Sequence, residues 1–297
     1  MFYPLPNADP NGPDHIITSN EGEVWAVGKY DPATETMLVY ENRTAERIVS
    51  GVNYLFSATG QAADEGRLLQ AAWLWQGNWG FRNCTQAMQG TFGTGFSLVR
   101  DLKWDSQAEK LIGAPVPELA KLRTQQLVHE TSRPLVAGEL WTLPIKGSAG
   151  SAAEIEISVP ILSGASSVGI AALAPAASKH GALQLSINIG APLANGSRAA
   201  SLSVTNDYAP PYRNHTVETV SRFLVLPEDR SVEVRAFIDR IVVEATANGG
   251  RGAVIAVEYR PDPQSTVHVF AAQDVKVNVS VWGMGCGYKA NLNSSDA

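Results

Sequence analysis

Carboxylate side chains are the residues of this chain whose type suits nucleophilic and acid–base catalysis most directly, and Asp9 is one of them. It lies in the run Asn7-Ala8-Asp9-Pro10-Asn11-Gly12. An aspartate can attack a sugar as a nucleophile when a second carboxyl group, roughly 5–5.5 Å away, acts as general acid and base. The run is also ordinary β-turn sequence, because Pro fixes φ and both Asn and Gly tolerate positive φ. Turn chemistry alone therefore explains it.

The spacing of the histidines and cysteines does not match that of a metal or cofactor site. The chain has 5 histidines, and none is spaced from another as zinc ligands are. We interpret all of them as surface or strand-end residues: His15, His129, His180, His215 and His268. The 2 cysteines, Cys84 and Cys286, either pair with each other or remain free thiols. We expect no metal and no cofactor.

Composition and charge narrow the classes of partner. An apolar fraction of 44% supports a packed core. The formal net charge of -6 gives no basic stripe of the kind that binds nucleic acid. The longest mildly apolar run, residues 161–177, is interrupted by Ser, Gly and Pro and is too short to span a bilayer. We therefore expect neither a nucleic-acid partner nor a membrane span.

Two features bear on localisation, and they conflict. Asn-X-Ser/Thr sequons favour a secreted or vacuolar parent protein. They occur at Asn42, Asn83, Asn195, Asn214, Asn278 and Asn293. The residues that follow Met1 lack the basic and apolar regions of a signal peptide. Localisation is therefore left open.

Short alternating runs dominate the chain and predict an all-β fold. Residues 154–159 and 183–189 alternate apolar and polar side chains between turn residues, as half-buried antiparallel strands do. A short helix is predicted over Val116–Arg123.

Charges fall on both faces of the strand over residues 235–245, which indicates a domain contact or a sheet edge. The run Asn248-Gly249-Gly250 directly after it predicts a hairpin, because Asn and Gly tolerate positive φ. The Gly- and Thr-rich stretch Gln89–Gly95 indicates a domain boundary.

Five segments, met in order along the chain, carry a resemblance to a known family. They are Gly28–Pro32, Arg100–Leu102, Pro115–Arg123, Phe237–Val254 and Trp282–Met284. Together they resemble the C-terminal part of glycoside hydrolase family 32, which comprises invertases, β-fructofuranosidases and fructanases. The sequence departs from the family's pattern at Asp101, where Glu is usual, and at Gly113, where Gln is usual.

The resemblance implies an all-β chain in which a partial five-bladed β-propeller remnant is followed by a β-sandwich. We predict the remnant, the last blade of the propeller, over residues 1–90, a linker over 91–123 and the sandwich over 124–297. A blade without its neighbours leaves an apolar face and a strand edge uncovered. We therefore expect residues before about Gly90 to be less stable than the sandwich.

The resemblance also implies the chemistry of the parent enzyme. It is a retaining glycosidase that hydrolyses terminal β-fructosyl bonds of sucrose or fructans with two carboxylates and no metal. Phe2-Tyr3-Pro4-Leu5 resembles the residues that follow the family's acid/base, and Asp9 comes after it. The run Asn7–Gly12 looks like the family's nucleophile motif, but in the family that motif lies near the start of the propeller. We therefore reject Asp9 as a decoy and expect the lone chain to be inactive. Tyr54, within Gly51–Thr59, is the one substrate-binding candidate.

Two other readings remain open at this stage. The first is a non-catalytic β-sandwich module that binds carbohydrate or mediates association with other chains. The association would include a homo-oligomer formed through the sandwich. Exposed tryptophans would favour this reading, because aromatic rings stack on sugar faces, but we expect Trp73, Trp75 and Trp79 to pack in a core. A lectin-like sandwich unrelated to family 32 is disfavoured by the ordered segments. The expected small-molecule partner of the parent enzyme is sucrose or a fructo-oligosaccharide.

Overall fold

The chain folds almost entirely into β-strands. A computed structural model describes residues 2–5, 12–18, 24–40, 46–51, 54–61, 66–75, 94–147, 152–174, 183–207, 216–239, 242–257 and 265–285. The strands before residue 116 are β1 (Phe2–Pro4), β2 (His15–Thr18), β3 (Val24–Asp31), β4 (Thr36–Val39), β5 (Glu46–Arg47), β6 (Ser50–Gly51), β7 (Tyr54–Gln61), β8 (Leu68–Trp75), β9 (Thr94–Phe96), β10 (Arg100–Asp105) and β11 (Lys110–Pro115). A 3₁₀ helix, Pro117–Leu122, follows.

The remaining strands belong to the C-terminal half of the chain. They are β12 (Arg123–Leu135), β13 (Leu140–Gly147), β14 (Ala152–Pro160), β15 (Ser166–Ala174), β16 (Leu183–Pro192), β17 (Arg198–Asp207), β18 (Thr216–Val225), β19 (Ser231–Asp239), β20 (Val242–Ala247), β21 (Gly252–Val257), β22 (Ser265–Ala271) and β23 (Val275–Met284). A 3₁₀ turn, Asn248–Gly250, joins β20 to β21.

The N-terminal strands form two antiparallel sheets. The first sheet has the order β1-β2-β3-β4, with β5 paired to β3. The second sheet has the order β11-β10-β8-β7, with β9 paired to β8. In the first sheet the side chains of Ile16, Trp25 and Val27 share one face and are buried. Period-two alternation of apolar residues thus selects which face of the sheet turns inward.

Two larger sheets pack face to face as a β-sandwich. The seven-stranded sheet has the order β12-β23-β14-β19-β20-β21-β6, and the six-stranded sheet has the order β13-β22-β15-β16-β17-β18. Every second residue of β14 points into the core between them, as Ile155, Ile157 and Val159 do. Full burial of such an aliphatic side chain contributes roughly 1.5–3 kcal/mol. The sandwich core therefore supplies most of the apolar stabilisation that the described residues show.

Strand β21 joins the sandwich to the N-terminal sheets. On one face Val254 and Ala256 belong to the sandwich core. On the other face Ala253 and Ile255 belong to a second apolar cluster. The other members of that cluster come from the N-terminal sheets and their connections: Leu5, Ile16, Trp25, Val27, Ile48, Val49, Leu68, Ala72, Leu102 and Leu111. The two-residue strand β6 also pairs with β21, in parallel, through Ser50 and Gly51.

The predicted all-β class and the β-sandwich are confirmed, and the short helix predicted over Val116–Arg123 is found at Pro117–Leu122. The described residues do not close into a propeller. The division at residues 1–90, 91–123 and 124–297 stays a prediction, although strands β9 to β11 lie within the predicted linker and belong to the second sheet. No helix among the described residues is long and apolar enough to cross a membrane.

Candidate functional site

The residues singled out for sugar chemistry are not tested by the structure. Asp9 lies outside the described residues, as do Trp79, Cys84 and Cys286. Tyr54 begins β7, where its backbone pairs with Leu74 of β8, and its side chain is outside the described part. The side chains of Trp73 and Trp75 on β8 are likewise outside it. The rejection of Asp9 and the candidacy of Tyr54 both stay predictions.

Histidines with described side chains make local contacts on the sandwich. Nδ1 of His129 lies 3.1 Å from Oγ of Ser280. His268 lies between two threonine hydroxyls, with Nδ1 3.0 Å from Thr142 Oγ1 and Nε2 2.6 Å from Thr266 Oγ1. Burial lowers the pKa of His268. No group of three or more metal-ligating side chains occurs among the described residues, and His180 and His215 lie outside them.

The third described histidine, His15, belongs to an aromatic cluster on the first sheet. Its ring stacks on Phe2 with centroids 4.7 Å apart and planes 7° apart. The ring of Tyr30 meets Phe2 edge-on at 5.0 Å. Asp14 Oδ1 accepts a hydrogen bond from Tyr30 N–H at 2.9 Å and lies 2.9 Å from His15 Nδ1. Burial raises the pKa of Asp14, but the hydrogen bonds from His15 and Tyr30 outweigh it and leave this pKa lowered.

A buried ion pair joins the second sheet to the sandwich. Arg100 Nη2 on β10 donates to Glu244 Oε2 on β20 at 2.8 Å, and the two side chains are 1% and 5% exposed. Glu244 Oε1 also accepts the backbone N–H of Leu98 at 2.8 Å. Burial raises the pKa of Glu244, although the charge of Arg100 and the Leu98 N–H act against it. The pair therefore fixes the position of β10 on the sandwich.

The turn after β20 packs closely against the same sheet. Asn248, Gly249 and Gly250 all have positive φ, as the hairpin signal in the sequence predicts. A Cβ on Gly250 would lie 2.6 Å from the backbone carbon of Gly113 on β11, so only glycine allows this approach. Nearby, Arg251 Nε donates to Asp105 Oδ2 at 2.7 Å, which adds a second ionic link to the second sheet.

The 3₁₀ helix is also tied to the second sheet by charge. Arg67, which precedes β8, donates through Nε to Asp101 Oδ2 at 3.2 Å and through Nη1 to Glu118 Oε1 at 2.6 Å. The hydrogen bond from Arg67 lowers the pKa of Glu118. Asp101 occupies a position where the family usually has Glu. Its carboxylate accepts the hydrogen bond from Arg67 and also lies 3.2 Å from Lys103 Nζ.

A second polar network lies on the outer side of the seven-stranded sheet. The carboxylate of Glu154 on β14 accepts hydrogen bonds from Arg123 Nε at 2.8 Å and from Arg235 Nε. Arg123 also hydrogen-bonds Glu156, and its guanidinium lies 3.8 Å from the ring centroid of Trp282. Burial raises the pKa of Glu154, but the two arginines outweigh it and leave this pKa lowered. The network anchors the start of β12 on β14 and β23.

These contacts bring together the segments that carry the family resemblance. Arg100 meets Glu244, and Arg123 meets Trp282, although each pair is far apart in sequence. The charged residues of these segments make position-fixing contacts with one another. The site that the described residues define is therefore an interface that holds a β-sandwich against N-terminal β-sheets.

Sequence comparison identifies the family. The description "Glycosyl hydrolases family 32 C terminal" matches residues 118–283, which is more than half of the chain. The chain therefore belongs to glycosyl hydrolase family 32. No curated protein sequence matches it significantly.

Solved structures share the fold at low sequence identity. Fructan 1-exohydrolase IIa from Cichorium intybus superposes with a TM-score of 0.79 and 19% identity, covering 96% of this chain and 60% of that chain. Exo-inulinase from Aspergillus awamori gives a TM-score of 0.72 and 15% identity over 97% of this chain and 56% of its own. Bombyx mori GH32 β-fructofuranosidase gives a TM-score of 0.57 and 13% identity, covering 96% of this chain and 53% of that chain. The chain thus spans little more than half the length of these proteins.

Proposed function

We propose that this chain is the C-terminal part of a retaining glycosidase that hydrolyses terminal β-fructosyl bonds of sucrose or fructans, and that it is inactive alone. The match of residues 118–283 to the family-32 C-terminal description is the observation that carries the proposal. The similar structures named as a fructan exohydrolase, an exo-inulinase and a β-fructofuranosidase support this substrate class.

The first and second sheets are, in this proposal, the end of a five-bladed propeller. The superposition on fructan 1-exohydrolase IIa from Cichorium intybus supports it. The match covers 96% of this chain, so it includes the first and second sheets as well as the sandwich. The buried pair Arg100–Glu244 and the approach of Gly250 to Gly113 then hold the sandwich against the catalytic domain. The role of the described residues is to position that domain, not to react with sugar.

The chemistry of the whole enzyme needs two carboxylates, one as nucleophile and one as acid and base, without a metal or an organic cofactor. In our proposal both carboxylates belong to a part of the enzyme that this sequence lacks. Tyr54 is retained as a substrate-binding candidate, since it stands in the stretch that corresponds to a sugar-pocket segment of the family. Sucrose or a fructo-oligosaccharide is the proposed substrate.

An activity assay of the purified chain tests the proposal. Incubation with sucrose, 1-kestose and inulin, followed by chromatographic detection of fructose, should show no release above a protein-free blank. The Asp9→Asn variant serves as the control for the rejected nucleophile. Hydrolysis by the wild-type chain that disappears in Asp9→Asn would show that the chain is catalytically complete and that the rejection of Asp9 is wrong.

A binding experiment separates this proposal from a carbohydrate-binding or association module. Calorimetric titration of the chain with inulin and levan oligosaccharides should give no saturable heat if the chain is a positioning part of an enzyme. Saturable binding that is lost in Trp73→Ala or Trp75→Ala would instead favour the binding module. A stable dimer in light scattering that dissociates on substitution in the sandwich would favour association.

A further inference from the structure

The Asn-X-Ser/Thr sequons are a feature of the sequence that the proposed function does not explain. Of the six sequons, two lie within the described residues, and their asparagines are Asn195 and Asn278. A sequon alone does not define a modification site, because a glycan is bulky and has to fit the surface of the folded chain. The structure distinguishes the two sequons by the setting of each asparagine.

Asn195 stands at the tip of the hairpin that joins β16 to β17. Residues 191–196 are all exposed. Two backbone hydrogen bonds close the tip: the N–H of Leu193 donates to the Ser197 carbonyl at 2.7 Å, and the N–H of Gly196 donates to the Leu193 carbonyl at 2.9 Å. A group attached to an exposed loop tip extends into solvent and does not separate paired strands.

The serine of its own sequon orients the side chain of Asn195. The Ser197 Oγ–H donates to Asn195 Oδ1 at 2.6 Å, and the Ser197 backbone N–H donates to the same oxygen at 3.1 Å. Both contacts use Oδ1, and neither uses Nδ2, the atom to which a glycan is joined. A glycosylated asparagine keeps Oδ1 as an acceptor, so both hydrogen bonds persist after modification. The product therefore fits the turn as the structure describes it.

Asn278 has a different setting, in the middle of strand β23. Its side chain is exposed, but the strand pairs with β12 on one side and with β14 on the other, where Asn278 lies opposite Ser158. Asn278 Oδ1 accepts the backbone N–H of Ser132 at 2.9 Å. Ser132 has a φ of +56° and lies at a register shift of β12, so Asn278 supports a bulge. A glycan here would lie across both neighbouring strands, and we expect Asn278 to stay unmodified.

We propose that Asn195, and not Asn278, accepts an N-linked oligosaccharide when the chain passes through the secretory pathway. The co-reactant is an oligosaccharide carried on a lipid diphosphate. Asn195 Nδ2 forms a bond to the anomeric carbon of the sugar, and the bond from that carbon to the diphosphate breaks. The lipid diphosphate leaves with the bonding electron pair, and one amide proton passes to a base of the transferase. The inference goes beyond the proposed function and does not depend on it.

The burial of Ser197 determines when the transfer takes place. Ser197 is 3% exposed in the folded chain, and the transferase has to reach the hydroxyl of the sequon. The transfer therefore precedes closure of the hairpin, and the folded tip has only to accommodate the product. The experiment accordingly needs a host that glycosylates the chain while it is being made.

Expression of the full chain behind a cleavable secretion signal in cultured mammalian cells tests the proposal. Chain recovered from medium and cells together is digested with trypsin, which cuts after Arg198 and Lys276 and so separates the two sequons. Peptide-N-glycosidase in heavy-oxygen water then converts a glycosylated asparagine to a labelled aspartate, which mass spectrometry detects. A sample without the glycosidase corrects for spontaneous deamidation at Asn195-Gly196. We expect the label at Asn195 and none at Asn278.

Three substitutions supply the controls. Asn195→Gln removes the acceptor, and Ser197→Ala removes the hydroxyl that the transferase recognises, so each should lose one glycan and migrate faster in gel electrophoresis. Asn188→Gln changes an exposed asparagine of β16 that belongs to no sequon, and it should migrate as the wild type does. Occupancy is measured in the wild-type chain, so it does not depend on whether a variant folds. An unlabelled Asn195 or a labelled Asn278 would overturn the proposal.

Discussion

Replacing Arg100 by Met should destabilise the chain by about 3–5 kcal/mol, because this is the cost of removing one partner from a buried ion pair. The guanidinium is 1% exposed and donates to Glu244 Oε2 at 2.8 Å and to the Gly113 carbonyl at 3.3 Å. After the substitution the carboxylate of Glu244 stays buried with the N–H of Leu98 as its remaining described donor. Met fills a similar volume, so the lost charge dominates the effect.

A double-mutant cycle with Glu244→Gln measures the coupling free energy between Arg100 and Glu244. The glutamine carbonyl still accepts the Leu98 N–H, but Arg100 is then buried without its counter-charge. The double variant, Arg100→Met with Glu244→Gln, leaves no unpaired charge in the pair. We therefore expect it to be less destabilised than the sum of the single variants, with a coupling free energy of roughly 0.5–3 kcal/mol.

Urea unfolding at neutral pH provides the assay. Circular dichroism follows the strands as a whole, and tryptophan fluorescence includes Trp25, which is buried in the second apolar cluster. Lys103→Met is the control, since its ion pair with Asp101 is formed by a side chain that is 51% exposed and should be worth at most about 1 kcal/mol. A loss below about 1 kcal/mol in Arg100→Met, or strictly additive single variants, would refute the assignment of this pair as the main polar link.

Three more perturbations follow from the same contacts. Gly250→Ala should destabilise the chain by more than about 1 kcal/mol in thermal melts, because φ is +104° and the new Cβ would clash with β11, whereas Gly249→Ala keeps only the strain of its positive φ. Since the native pKa of Glu154 is lowered, the stability from its ionised form is present above the unfolded value of about 4.3 and is lost as pH falls below it. Urea titrations should therefore show a shallower acid loss in Glu154→Gln than in the exposed control Glu228→Gln. Limited proteolysis should cut before about Gly90 first, and equal resistance of both halves would contradict this.

Local sequence signals predicted the secondary structure of the sandwich well. Alternation over residues 154–159 gave a strand that the structure extends to Ala152–Pro160. The Asn248-Gly249-Gly250 signal predicted a hairpin, and all three residues have positive φ there. Such features depend on neighbours in the chain, so pattern alone identifies them. The charges on both faces of residues 235–245 also indicated a domain contact, and Glu244 makes one.

The long-range contacts could not be predicted from pattern. Arg100 and Glu244 are 144 residues apart, and their pairing depends on how the second sheet lies on the sandwich. Strand β6 has two residues, which carry no periodicity, yet it pairs with β21 across the chain. The run Ala253–Val257 is continuously apolar because both faces of β21 are buried, one in each apolar cluster. Periodicity therefore fails at the positions where the N-terminal sheets meet the sandwich.

The sandwich core and the second apolar cluster differ in which strands supply their side chains. We therefore expect the N-terminal sheets to be less stable than the sandwich. Among the described residues, the buried members of the sandwich core all lie between β12 and β23, so this core contains no side chain of the N-terminal sheets. The second cluster needs Ala253 and Ile255 from β21 to complete it. The N-terminal sheets therefore depend on β21 of the sandwich to complete their apolar cluster. Because local opening of a less independent part costs less free energy, backbone hydrogen exchange should be faster in β1 to β4 than in β14 to β17, and equal protection in both would contradict this ordering.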